Sequence, residues 1–386
     1  MLHFSGRTPD DFTANALTRA LDERRRRGLP VLDATESNPT RAGIVAPAEL
    51  LDALRDPRTL RYDPSPNGLL EAREAIAARY GGHPSRIFLT SSTSESYSWI
   101  FKLLCEPGDE VLVPTPSYPL FDCLAHLDAV NAVPYLLLKE DGWRIDMDSL
   151  AWAVSPRTRA VVLVNPNNPT GSYFKSDQLR ALNEFCARHG LAIVSDEVFL
   201  DYSFAPDAHR APSFAHHSAS LTFTLNGLSK PAGLPQMKLG WIAVSGPDQD
   251  LDAALPRLEW IADSYLPVSA PVQHAAPAWL EAVPKLQQPI RERIAAGLDI
   301  LRRELPAETG CRLLELEGGW AAVLEIPRTR PEESWALELL NEDGVLLQPG
   351  FFYDFHREAF LVAGLLSDPA ALRTACQALI RKNRPD

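Results

Sequence analysis

The chain has 386 residues, with 38 basic against 50 acidic side chains and a formal charge of −12. That length supports a large core and more than one domain, and the acidic balance disfavours general binding to nucleic acid or anionic membrane while leaving room for a small anionic ligand in a local pocket. No apolar stretch approaches the ~20 residues of a membrane span, residues 1–10 lack the apolar stretch of a signal peptide, and five scattered cysteines without a CxxC pair read as free thiols in a reducing cytoplasm.

Taken in order, residues 11–28 read as a helix with Phe12, Leu17 and Leu21 on one face, and the Arg24–Arg27 run as its solvated side. A short strand at Val31–Ala34 leads into the polar loop Glu36-Ser37-Asn38-Pro39-Thr40-Arg41, placed early enough to fold over a site. A turn-rich loop holding Tyr62 precedes a helix over 69–80 that Gly81 and Gly82 close. The strand 87–90 runs into Ser91-Ser92-Thr93-Ser94-Glu95 at the head of another helix. Ser92 and Glu95 have capping-box spacing, and the three hydroxyls with free N–H groups equally suit an anion. Strand 110–113 ends in a proline-rich loop carrying Tyr118, which is either core packing or a flat face for a flat ligand.

The all-apolar run 160–164 is what a central parallel strand requires. It ends at Asn165-Pro166-Asn167-Asn168-Pro169-Thr170-Gly171, and a helix (176–189) and a second apolar strand (191–194) bring the chain to Asp196, Glu197 and Phe199. A strand at 221–225, the segment Ser229-Lys230, a loop holding Lys238 and a strand at 241–244 follow. A lysine just past a strand end in apolar company is desolvated, which favours the neutral amine that attacks carbonyls. Ser92–Ser94, Tyr118, Asn168, Asp196 and Lys230 all fall at strand ends, the edge where sheets of this type bind ligands. Helices at 249–262 and 272–304 and short strands at 312–316, 320–325, 345–347 and 360–364 read as a smaller α+β unit, completed by the N-terminal ~45 residues.

Five motifs occur in one order: Tyr62-x5-Gly68-Leu69-x3-Arg73, the stretch from Pro107-Gly108-Asp109 to Tyr118-Pro119, Asn165 to Gly171, Asp196-Glu197-Val198-Phe199, and Ser229-Lys230 through Gly233-Leu234-Pro235 to Gly240. Together they resemble the class I/II aminotransferases, pyridoxal-phosphate enzymes of fold type I, over nearly the whole chain. The resemblance implies an α/β large domain with a mostly parallel central sheet flanked by helices (46–270), a small α+β domain (271–386) and an N-terminal segment (1–45) joining the latter. It implies ping-pong transfer of an amino group from an amino acid to a 2-oxo acid in a cytoplasmic homodimer with shared active sites. By position, Lys230 would hold pyridoxal 5'-phosphate in a Schiff base and move the proton at the α-carbon. Asp196 would pair with the ring nitrogen and Asn168 with the ring oxygen, and Tyr118 would stack on the ring. Ser92, Thr93 and Ser94 would hold the phosphate with Ser229 beside them, and Tyr62 would reach the partner's phosphate. Ser37 and Asn38 would border the substrate.

The departures are as specific as the matches. Phe199 stands where the family has a tyrosine that donates to the ring oxygen, and Tyr202 is a spatial alternative. Gly227 replaces a phosphate-binding serine, and Lys238 an arginine, giving charge without the bidentate fork. Val362 falls where a late-strand arginine would clamp the substrate carboxylate. Arg357 or Arg41 could supply that charge, backbone N–H groups with Asn168 could hold the carboxylate, or the substrate is not a simple α-amino acid. Another reaction on the same cofactor, such as C–S β-elimination, stays open beside transamination. A non-catalytic ligand sensor is disfavoured by the presence of Lys230, Asp196 and Asn168 together.

Overall fold

The computed structural model describes residues 2–62, 64–217 and 219–383, so Asp63 of the turn-rich loop lies outside it. Helix α1 (Ala16–Arg26) starts where Asn15 accepts the Thr18 N–H at 2.8 Å. It is shorter than its periodicity predicts, because residues 11–15 are not helical and Phe12 is exposed. The two-residue strand β1 (Leu32–Asp33) follows, then α2 (Leu70–Tyr80), stopped by Gly81 at φ 86°.

The large sheet is then laid down. Its elements are β2 (Ile87–Thr90), α3 (Thr93–Leu104), β3 (Glu110–Thr115), α4 (Phe121–Leu127), β4 (Asn131–Leu138), β5 (Arg144–Ile145), α5 (Met147–Ala153), β6 (Thr158–Val164), α6 (Ser176–His189), β7 (Ala192–Asp196), β8 (Thr222–Gly227) and β9 (Gly240–Ser245). The strand order is β2-β9-β8-β7-β6-β3-β4-β5. Pairs from β4 through β3, β6 and β7 to β8 are parallel, and β9 runs antiparallel between β2 and β8. Strands β3, β7, β8 and β9 are buried along their whole length, the condition that calls for continuous apolar runs rather than alternation. Because β2 and the parallel strands point the same way, the residues that follow them arrive at one edge.

Helix α7 (Asp248–Tyr265) leads to α8 (Ala270–Glu304), which joins two cores. Its first half (Ala275, Trp279, Leu280, Val283) packs with Ala72 and Ile76 of α2 beside the large sheet. Its second half (Ile290, Ile294, Leu298, Leu301) enters a separate apolar cluster. That cluster is built on β10 (Arg312–Leu313), β11 (Ala321–Glu325), α9 (Glu332–Glu338), β12 (Val345–Leu346), β13 (Gln348–Pro349), β14 (Phe360–Gly364) and α10 (Pro369–Lys382). Here the sheet is antiparallel, in the order β10-β11-β14-β13, while β12 pairs in parallel with β1. Leu17 and Ala34 from the N-terminal segment are buried in the same cluster. No helix among the described residues is long and apolar enough to cross a membrane.

Candidate active site

Beyond the carboxyl ends of β6, β7 and β8 lies a cavity of about 230 Å³, with a far wall from β11, β13 and β14. Asp196, the last residue of β7, lines it and is buried. One carboxylate oxygen accepts the Val198 N–H at 3.2 Å and the other the Tyr97 hydroxyl at 3.1 Å. Burial pushes its pKa up to about 6, against the pull of those two donors and of Lys230.

Lys230 comes from the β8–β9 connection. Its backbone is pinned, because its carbonyl accepts the Tyr202 hydroxyl at 2.7 Å and the Gly233 N–H at 3.2 Å. The Tyr202 hydroxyl is therefore engaged with this backbone. The amine lies 5.1 Å from the centroid of the Trp320 ring and 5.5 Å from that of Phe199. Burial holds the ammonium pKa below its ordinary value, with the Asp196 charge opposing the shift. A larger share of neutral, nucleophilic amine results.

Helix α3 presents its start to the same cavity through Thr93. The Ser92 hydroxyl oxygen accepts the Glu95 N–H at 3.2 Å, and the Glu95 carboxylate accepts the Ser91 N–H at 2.5 Å. The first-turn N–H groups of Thr93 and Ser94 have no partner within the helix, which makes this end a site for an anion. Gly227 and Gly240 face each other across β8 and β9 just below it. A Cβ on Gly227 would stand 2.8 Å from the Leu239 carbonyl oxygen, so the serine of the family pattern has no room there, and one on Gly240 would stand 3.1 Å from the Ser92 backbone.

Two loops are tied together across this edge. The Ser117 hydroxyl donates to the Asn167 side-chain oxygen at 2.8 Å, and the Asn167 amide donates to the Pro116 carbonyl at 3.0 Å. Each loop thereby steadies the other's neighbouring residue, Tyr118 or Asn168, and both residues line the cavity.

The structure brings Ser37, Thr93, Tyr118, Asn168, Asp196, Phe199, Ser229 and Lys230 to one cavity. Ser92 and Ser94 flank Thr93 at the α3 start without lining the cavity themselves, and the remaining predicted residues lie elsewhere. Asn38 closes its own turn, accepting from the Thr40 N–H and hydroxyl at 3.0 and 2.6 Å. Lys238 is exposed, at φ 52°. Tyr62 is 77% exposed. Exposed Arg357 lies 3.7 Å from Glu140, and Arg41 binds Glu36 at 2.9 Å. Val362 does line the cavity, paired between Val323 and Gln348. The lining residues not singled out from sequence include Trp320, Gln348 and Tyr353. The Tyr353 hydroxyl donates to the Gln348 oxygen at 2.5 Å. Gly318-Gly319 marks a turn before Trp320, but no local pattern says that this strand faces a cavity built on another sheet.

Beside Asp196, Glu197 is 1% exposed. It accepts the Phe214 N–H at 2.8 Å, the Ser213 hydroxyl at 2.6 Å and the Ser195 hydroxyl at 3.2 Å, and burial still pushes its pKa up to about 7. A folded-state pKa above the unfolded one gives stability that is present at low pH and lost as pH rises through 7. Replacing Glu197 with Gln is expected to remove about 2 kcal/mol of the decline between pH 5.5 and 8.5. Urea midpoints of both proteins across that range check this. Parallel curves would mean that Glu197 ionises without cost.

Comparison with known proteins gives the family and the fold. The family profile described as "Aminotransferase class I and II" matches residues 14–379. The glutamate-pyruvate aminotransferase AlaA of Escherichia coli (strain K12) is 34% identical over 261 residues, 64% of this chain but only 63% of that protein's length. The protein of the same name from Haemophilus influenzae is 30% identical over 352 residues, covering 85% of this chain and 84% of its own. The structure of an alanine aminotransferase from Pyrococcus furiosus superposes with a TM-score of 0.88 over 99% of both chains at 22% identity, which speaks for the fold alone.

Proposed function

The chain belongs to the class I and II aminotransferase family, and from that premise we propose that it transfers an amino group from an amino donor to a 2-oxo acceptor, using pyridoxal 5'-phosphate. The observation that carries this reading is the meeting, in one cavity, of a desolvated lysine amine and a buried aspartate at adjacent strand ends. The residues present fit the cofactor. A buried carboxylate suits a protonated ring nitrogen, the α3 start suits a phosphate, and Tyr118 offers a flat face. Bound there, the cofactor supplies an electron-accepting ring for the bonding pair left at the donor's α-carbon when its proton departs.

The chain's own residues do the rest. Lys230 is the base that takes the α-proton and the acid that returns it, a task suited to an amine whose pKa burial has lowered. Asp196, held by Tyr97 and Val198, would keep a negative charge toward the ring nitrogen. Asn168 would donate a hydrogen bond to the ring oxygen, and Ser229 and Thr93, which line the same cavity, would hold the phosphate. The surrounding rings of Phe199 and Trp320 exclude water from the amine.

Residues 46–270 form the cofactor-binding part in this reading, and 271–386 with 1–45 the part that closes over it. The shared burial of Leu17 and Ala34 with α8 and α10 supports that division. We place the protein in the cytoplasm, where its free thiols stay reduced. We take it to act as a homodimer that buries exposed Leu60, Tyr62 and Leu70, with Tyr62 reaching the second active site. Sedimentation of the loaded protein checks the dimer. The decisive test of function is a panel of amino donors, each mixed with the loaded protein under single-turnover conditions. Stoichiometric oxo product with bleaching of the visible band supports transfer, whereas pyruvate and free ammonia would identify an eliminating enzyme.

A further inference from the structure

Two residues lining the cavity, Gln348 and Tyr353, come from the end of β13 and from the single turn Gly350–Tyr353 that follows it. From Asp354 to Ala359 the chain is neither helix nor strand, so no ladder fixes this strap before it re-enters the small sheet as β14. Its tip is tied to the opposite side of the site. The Tyr353 carbonyl accepts the Ser117 N–H at 3.0 Å, and the Tyr353 hydroxyl donates to the Gln348 oxygen at 2.5 Å.

Both ends of the strap meet one carboxylate. Glu332, at the start of α9, is buried and does not itself line the cavity. One of its oxygens accepts the Phe351 N–H at 2.6 Å and the other the Phe360 N–H at 3.0 Å. Burial, with the nearby charge of Glu358, holds its pKa above the ordinary carboxylate value, against the pull of these backbone donors. A buried carboxylate is costly unless well hydrogen-bonded, and here the strap's backbone supplies the bonds. The fit is close. A Cβ on Gly350 would stand 3.1 Å from a Glu332 oxygen, and Ala359 is held at φ 95°, a conformation that a free chain seldom adopts there.

We propose that Glu332 is a positioning residue for the substrate: by tying residues 351 and 360 together it sets Tyr353 against the cavity and raises affinity for the part of the ligand that lies beyond the cofactor. The proposal rests on the reading above that an amino donor enters this cavity. Glutamine has the same shape but one oxygen, so its N–H group would face one of the two backbone N–H groups and release that end. The strap then spends time with Tyr353 displaced, and a ligand must select the fraction that is closed. Lys230, Asp196 and the α3 start belong to the other sheet, and Ser117 keeps its second tie to Asn167, so the cofactor's surroundings stay in place.

The test uses the full chain stripped of cofactor and two probes, pyridoxamine phosphate and the stable conjugate phosphopyridoxyl-L-alanine, titrated calorimetrically. Glu332→Gln is expected to weaken the alanine conjugate at least about fivefold, the low end of what an unpaired buried donor costs, and pyridoxamine phosphate less than about twofold. Leu379→Ala, which opens a void in the core cluster that α10 shares with the small sheet, should lower the urea midpoint yet leave the ratio of the two affinities within about twofold of wild type. Hydrogen exchange locates the effect. The Phe351 and Phe360 amides should be protected in the wild type, exchange faster in Glu332→Gln, and regain protection when the conjugate saturates it. Equal weakening of both probes, or the same change of ratio in Leu379→Ala, would reduce Glu332 to a structural role and overturn the proposal. Fast exchange of both amides in the wild type would overturn it whether or not the variant folds. If pyridoxamine phosphate does not bind the wild type, the cofactor reading fails and takes the proposal with it, an outcome distinct from the others, in which that probe binds.

Discussion

Lys230→Ala is expected to lower turnover of every amino donor by at least about 10⁴-fold, the upper end of what one acid–base group contributes. No other amine among the described residues lines the cavity, so nothing on this chain stands in as the proton carrier. Loss of fold is not the cause expected. The Tyr202 hydroxyl holds the backbone carbonyl of residue 230, not its side chain, and the loss of one buried charge offsets the loss of its attraction to Asp196. The α3 start and Asp196 remain, so the cofactor is expected to bind without a covalent link. Three readouts then separate the possibilities. The unfolding midpoint of the cofactor-free chain should stay close to the wild-type value. Borohydride should no longer add a phosphopyridoxyl mass to the peptide containing residue 230. The single-turnover rate should collapse. A rate within about tenfold of wild type would assign proton transfer to another group and sink the reading.

Much of this was legible in the sequence because it is local. The apolar runs 87–90 and 360–364 are strands over the residues predicted, and helix 176–189 is likewise as its periodicity says. Each predicted lining residue of the large sheet follows such a strand, and the parallel order brings those ends together. What was not legible depends on long-range packing. Strand β4 carries a proline and a mixed burial pattern because it lies near the sheet's edge, so it shows neither a continuous run nor a clean alternation. Trp320 sits in sequence like any core aromatic. Only the folding of β11 against the cavity beside Phe199, with ring centroids 5.4 Å apart, puts its ring next to Lys230. The fate of Arg41 and Arg357 was likewise hidden, because salt-bridge partners follow from loop paths that no periodicity encodes.

Asp196→Asn separates the two things the carboxylate does. In the proposed reaction its charge would face the ring nitrogen, and removing one such preorganised group from a water-poor site is expected to lower kcat by about 10²–10³-fold. Unlike Lys230→Ala, the variant keeps the amine, so borohydride should still fix the cofactor at residue 230. In the empty protein the same charge is a burden. Its pKa of about 6 lies above the unfolded value, so the stability it gives is full below about pH 4 and is lost as pH rises through 6, a change of about 3 kcal/mol by pH 8. The neutral amide has no such titration. The Asp196 oxygens accept from Val198 and Tyr97, and an asparagine can retain the first through its carbonyl oxygen while its N–H group faces the Tyr97 oxygen. The cofactor-free variant is therefore expected to match or exceed wild-type stability at pH 8 and to lose about 1 to 2 kcal/mol of that advantage at pH 5, where part of the wild-type carboxyl is protonated. Loading with cofactor should reverse the order at pH 8, because only the wild type then gains a partner for its buried charge. Urea titrations of both proteins, empty and loaded, at the two pH values check this. An order unchanged by cofactor would mean that the buried acid at the end of β7 does not meet the ring nitrogen.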